Sequence, residues 1–290
     1  MPHEAASNLN KPLSEDDFEI LGQVFLDPLL KHRPLFWIGI YERLDQEAVR
    51  RVFRGPYPPC HTFSFGKGNV GFVAEAGIRK VIPDVTTDLQ YSQCFIETQS
   101  EWVEPIRFDG ASVGVIDIEE DKKNAFSDAD EKDFKNLSEQ IAPLLAWKEV
   151  SWTARLKILK KLFRLRERHK DFNWIGIYRR ETNRNDSLLL SIFLGPPTDH
   201  FRIPISKGIC GAAVREDRTL NIPNVQSDPR HIACSLSTQS ELVVPIRNSE
   251  NKVIAEIDID SDKPDAFTPE RVAEVEAAAI EISKILEFNL

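Results

Sequence analysis

The sequence predicts an α+β protein made of two tandem copies of one domain, each a mostly antiparallel sheet flanked by helices. Three observations predict it. The string WIGIY at 37–41 returns at 174–178, and further matches follow in the same order. Between these matches lie short apolar or alternating runs, bounded by turn residues, that read as strands. Each copy opens and closes on a segment with helix-start signals or helical periodicity.

The repeat sets the domain organisation. FGKGNVG at 65–71 returns as ISKGICG at 205–211, CFIETQSEWVEPIR at 94–107 as CSLSTQSELVVPIR at 234–247, and GVIDIEED at 114–121 as AEIDIDSD at 255–262. The offset grows from 137 to 140 to 141, and the inserted turns ETNRND and NSEN account for the growth. So long a period marks a duplicated domain rather than a solenoid. The expected domains are 1–149 and 150–290.

Ser14 is the expected N-cap of a first helix over 14–31. Strands are expected at 35–42, 49–53, 61–65, 79–82, 101–107 and 112–119, with a short helix after the glycine turn. A second helix starts at Ser127–Asp128 and runs to about 149, with Pro143 expected to bend or break it. The amphipathic segment 151–169, basic on its polar face, opens the second copy. Its strands are expected at 173–179, 187–193, 201–205, 219–222, 241–247 and 252–260. Thr268 and Pro269 start the last helix as N-cap and N1.

Composition narrows the function classes. At 290 residues, 41% hydrophobic and 29% charged, both halves can bury a core. A net charge of −9 disfavours a nucleic-acid or anionic-membrane surface. No apolar run is long enough for a spanning helix. The polar N-terminus reads as neither secretory signal nor transit peptide, so a cytoplasmic protein is expected. The four cysteines, Cys60, Cys94, Cys210 and Cys234, include no C-x-x-C pair, so a zinc ribbon or thioredoxin motif is unsupported. Composition alone would make them small buried hydrophobes.

Two constellations carry chemistry. Gly66–Gly71 fits G-x-G-x-x-G, but the second copy has Ser206 at the first position, and long βαβ alternation is missing. A tight turn feeding a helix is the better reading. That helix N-terminus can hold a carboxylate or lower the pKa of Cys210 in its first turn. The other constellation is acidic. Asp258 and Asp260 share one strand face opposite Ile257 and Ile259, and Asp117 and Glu119 do the same opposite Ile116 and Ile118. Glu241 and Glu101 add a third acid on another strand, each seven residues after a cysteine. Such a triplet is either a solvated acidic face or a site that faces a cation and holds a proton.

Taken in order, NWIGIY, ISKGICG, IPNV, HIACSLSTQSELVVPI and EIDIDS resemble the free methionine-(R)-sulfoxide reductases, which are GAF proteins. The resemblance covers about 173–285; the first copy, about 35–147, matches less closely, with SQC in place of HIAC. It implies two tandem GAF domains. The family pattern has three cysteines, and this chain splits them. The second copy has His200, Cys210 and Cys234 at those positions, and the first has Cys60, Val70 and Cys94.

The resemblance implies thiol-dependent reduction of free methionine (R)-sulfoxide through a Cys sulfenate and a disulfide, with no cofactor and no metal. Cys234 is implied as nucleophile and Cys210 as resolver, with Cys94 and Cys60 as counterparts; the helix-terminal setting of Cys210 keeps the reverse assignment open. Intradomain disulfides Cys210–Cys234 and Cys60–Cys94 are expected. Glu241, Asp258 and Asp260, and in the first copy Glu101, Asp117 and Glu119, would bind the substrate ammonium and supply the proton. Trp174 and Tyr178, and likewise Trp37 and Tyr41, would wall the methyl-sulfoxide end, although core packing alone would also explain them. The expected partners are free methionine sulfoxide and a thioredoxin-type reductant, with homodimerisation an open option. The alternative is a GAF ligand or redox sensor without turnover.

Overall fold

Ser14 accepts a hydrogen bond from Asp17 N at 3.2 Å and caps α1, as its position before EDDF predicts. The computed structural model describes residues 14–182, 186–232 and 237–288. Helix α1 is regular over Glu15–Leu21, widens into a π turn at Gly22–Leu26 and ends with Asp27–Leu30. Pro28 has no N–H to donate back along the helix, and the regular pattern is interrupted just before it. Contacts divide the chain at Ala146/Trp147 into two units.

In the first unit, β1 (Trp37–Leu44), β2 (Glu47–Arg54), β3 (Thr62–Ser64), β4 (Lys80–Ile82), β5 (Ser100–Phe108) and β6 (Ala111–Glu120) form one antiparallel sheet. The order is β3-β2-β1-β6-β5-β4. Helix α2 (Gly68–Ala76) follows β3, and α3 (Asp128–Ala146) closes the unit. Two expectations for α3 are corrected. It runs through Pro143 rather than breaking there, and it ends at Ala146 rather than near 149.

The second unit opens on α4 (Trp152–Arg168), capped by Ser151. Its strands are β7 (Trp174–Glu181), β8 (Ser187–Leu194), β9 (Arg202–Pro204), β10 (Leu220–Ile222), β11 (Ser240–Arg247) and β12 (Val253–Ser261). They pair antiparallel in the order β10-β11-β12-β7-β8-β9, the same arrangement as in the first unit. Helix α5 (Gly208–Glu216) packs on β9, β11 and β12, and α6 (Pro269–Glu287) packs on β11 and α4. Thr268 caps α6 with Pro269 at its start, as the residue types predict. Each unit also contains a short 3₁₀ turn that the sequence pattern did not reveal, Val85–Thr87 and Val225–Ser227.

The repeated strings now have physical reasons. In WIGIY, a Cβ on Gly176 would lie 2.3 Å from the Trp174 ring, so only glycine lets the indole fold back over the strand. In KGxxG, Gly208 adopts φ +72°, the left-handed turn that feeds α5. Among the described residues, no helix is long and apolar enough to cross a membrane.

Candidate functional site

Sheet register builds the second unit's acidic face. Glu241 on β11 pairs with Asp260 on β12, and Asp260 pairs with Trp174 on β7; Asp258 sits opposite Val243 and Gly176, and Glu256 opposite Pro245 and Tyr178. Period-two geometry therefore puts Glu256, Asp258 and Asp260 on one face with Glu241 beside them. The alternation at 258 and 260 holds, but the face is not solvated. Glu241, Glu256, Asp258 and Asp260 are all buried. Sequence reasoning missed Glu256, though the same period, extended back one step from Asp258, would have found it.

Helix α5 brings Cys210 onto this face. Its Sγ lies 3.9 Å from Glu241 Oε1. One ligating atom each from Cys210, Glu241 and Asp258 falls within 4.8 Å of the others. Lys207, the N-cap of α5, makes no side-chain cap, so that side chain leaves the first-turn N–H groups uncovered. A cavity of about 260 Å³ opens beside the helix start, lined by His200, Arg202, Ile203, Pro204, Lys207, Gly208, Ile209, Cys210, Ile232, Glu241, Asp258 and Asp260. His231 Nδ1 lies 3.4 Å from Glu241 Oε2.

Burial dominates the electrostatics. It pushes Glu241 well above the usual carboxylate range, and the charges of Asp260 and Asp228 add to the shift. Asp258 rises for the same first reason, then through Glu241 and Glu256, and Asp260 through burial and Asp258. Burial and then the Glu241 charge place Glu256 at about 8, against a lowering influence of the neighbouring Cys210 thiol. The cluster therefore holds protons near neutral pH. Among the described residues, one Asp258 oxygen and both Glu256 oxygens are buried without a hydrogen-bond partner. Burial lowers the pKa of His231, so the ring beside Glu241 is neutral near pH 7.

The predicted aromatic residues occupy the core. Trp174 stacks on Phe193 at 5.6 Å and packs with Tyr178, Ile203, Ile209 and Cys210. The Tyr178 hydroxyl donates to the His200 carbonyl at 2.8 Å. Neither ring is among the residues that line the cavity. Cys234, and with it the expected Cys210–Cys234 pairing, lies outside the described residues.

The first unit repeats the frame and fills it differently. Glu101, Asp117 and Glu119 are buried on β5 and β6, with Trp37 and Tyr41 packed against the same face. Val70 stands where Cys210 does, and Val115 where Glu256 does. Asn69, beside Val70 in the first turn of α2, donates from Nδ2 to Glu101 at 2.5 Å and to Asp88 at 3.1 Å. Lys80 Nζ bonds the Asn69 side-chain oxygen and reaches Asp88 at 3.1 Å. Tyr91 donates to Glu119 at 3.4 Å, and Thr98 donates to the same carboxylate. Burial still raises Glu101 to about 8 and Glu119 to about 7. It also raises Asp117 well above its ordinary value. Cys60 and Cys94 form a disulfide with Cα atoms 5.8 Å apart.

A family model described as GAF domain matches residues 157–286. The chain is 35% identical over 140 residues to GAF domain-containing protein A of Dictyostelium discoideum, covering 47% of this chain and 82% of that protein. It is 33% identical over 153 residues to the free methionine-R-sulfoxide reductase of Escherichia coli, covering 53% of this chain and 88% of that protein. The free methionine-R-sulfoxide reductase of Saccharomyces cerevisiae is 39% identical over 90 residues, which span 31% of this chain and about half, 49%, of that protein.

Proposed function

The chain belongs to the GAF-domain family, and from that premise we propose that its second domain is a thiol-dependent reductase of free L-methionine (R)-sulfoxide. The observation that carries this reading is the set of proton-holding carboxyls packed around Cys210 at the edge of a small cavity. At about 260 Å³ the cavity falls below the roughly 300–1,000 Å³ typical of drug-sized sites, which suits a small metabolite. A free amino acid presents what this cavity lacks and offers. Its ammonium neutralises the buried acids, and its carboxylate takes the N–H groups at the start of α5.

The reaction needs a thiol and an acid. A cysteine thiolate attacks the sulfoxide sulfur while a protonated carboxyl of the cluster donates to the sulfoxide oxygen. The oxygen passes to the cysteine, giving sulfenic acid and methionine. A second thiol displaces the hydroxyl as water and forms a disulfide, which a thioredoxin-type dithiol reduces by exchange. Cys234 is assigned as nucleophile and Cys210 as its resolver. Reduction potential comes from the dithiol, and the acids supply protons without being consumed.

Domain one supports a different reading. Lys80 and Asn69 already serve Glu101 and Asp88, and Thr98 and Tyr91 serve Glu119, so an incoming ammonium has less to neutralise. We assign it little turnover. The test is thioredoxin-coupled turnover of the whole protein with free methionine (R)-sulfoxide, its (S) epimer and the N-acetylated (R) compound. Consumption of reductant with the free (R) substrate alone is expected. Equal rates on the N-acetyl compound would contradict an ammonium site, and binding without any turnover would make the protein a sensor.

A further inference from the structure

We propose that the reduced second domain also binds one thiophilic divalent cation of the zinc type, held by Cys210 Sγ and the carboxylates of Glu241 and Asp258. Their ligating atoms lie within 4.8 Å of one another. They come from α5, β11 and β12, so strand register and helix packing hold the triangle together. All three residues are buried.

An independent observation points to an unfilled polar site. Glu256 is 0% exposed, its oxygens have no hydrogen-bond partner among the described residues, and its side chain faces the same thiol. One Asp258 oxygen is likewise unpartnered among the described residues. Buried carboxylates are normally paired or bound to a metal. A substrate ammonium brings one positive charge, whereas a divalent ion brings two and also matches a thiolate. Magnesium and calcium prefer all-oxygen shells, while zinc accepts sulfur and carboxylate together. Domain one provides an internal control, because Val70 removes the sulfur ligand and Lys80 with Asn69 supplies polar partners.

This site goes beyond the reductase reading and does not depend on it. Three protein ligands leave a fourth position toward the cavity. The cation and a zwitterionic substrate would compete for Glu241 and Asp258, making the metal a reversible inhibitor. The test is cobalt(II) titration of the full-length protein kept reduced by a phosphine. A thiolate-to-cobalt charge-transfer band saturating at one equivalent, and displaced by zinc, is expected. Cys210→Ser should abolish the band. Asp258→Asn, which keeps the side chain's shape and the thiol, should weaken binding about tenfold or more. Cys94→Ser should leave the band intact. Absence of the band, or a band that survives Cys210→Ser or Asp258→Asn unchanged, overturns the proposal. Turnover measured with a chelator present tests the reductase reading separately.

Discussion

Replacing Glu256 with Gln probes whether β12 carries a proton that water would strip from it. In the unfolded chain this carboxyl titrates near its ordinary 4.5, and in the folded domain at about 8. Between these values the native state binds the extra proton, so stability falls as pH rises through the window. Below pH 4.5 the stabilising difference is fully present, and above pH 8 it is lost. At about 1.4 kcal/mol per pH unit, a 3.5-unit window corresponds to about 5 kcal/mol. Gln mimics the protonated carboxyl and has no such slope. Its amide is as poorly partnered as the acid, which costs about 1–3 kcal/mol at every pH. The informative quantity is therefore how the difference between the two proteins changes with pH. Urea unfolding near pH 5, 7 and 9 should show Glu256→Gln gaining on the parent by several kcal/mol from the lowest to the highest pH. A difference that stays constant across this range would refute the assignment of a buried, proton-holding carboxyl.

The cysteines should divide by domain. Cys234→Ser is expected to remove most turnover and Cys94→Ser little, and the reverse pattern in thioredoxin-coupled assays would exchange the two domains' roles. Cys210→Ser should permit one stoichiometric reduction, read by quench-flow as a burst of methionine, and then stop thioredoxin recycling. Multiple turnovers would remove Cys210 from the resolving step. Gly176→Ala forces a methyl to within 2.3 Å of the Trp174 ring, so the second domain should lose about 1–3 kcal/mol, seen as a melting temperature several degrees lower. An unchanged melting temperature would show that the indole can move away at no cost.

Local chemistry made much of the architecture legible. Ser14, Ser151 and Thr268 cap helices because a side-chain oxygen satisfies a first-turn N–H, and this requires no distant partner. The alternation DID at 258–260 fixes which side chains share a face, because the strand period is two. Pro143 was less decisive than its type implies. It deletes one backbone bond, its own to the carbonyl of residue 139, and the helix nevertheless runs on to Ala146.

Sequence alone established the duplication, the succession of helices and strands along each copy and the identity of most of the acidic face, since all three follow from repetition, periodicity and local propensity. Tertiary structure decided the chemistry of that face. Burial turned an acidic stripe into a set of proton-holding carboxyls, because the loss of water around Asp258 and Glu241 depends on α5 closing over β11 and β12. It also separated the two copies. Lys80, Asn69 and Asp88 are distant from Glu101 in the chain and meet it only through folding, whereas the second copy has Leu220 and Ile209 at the first two of these positions. No one-dimensional pattern encodes those contacts, because each depends on where a helix start and two strands converge.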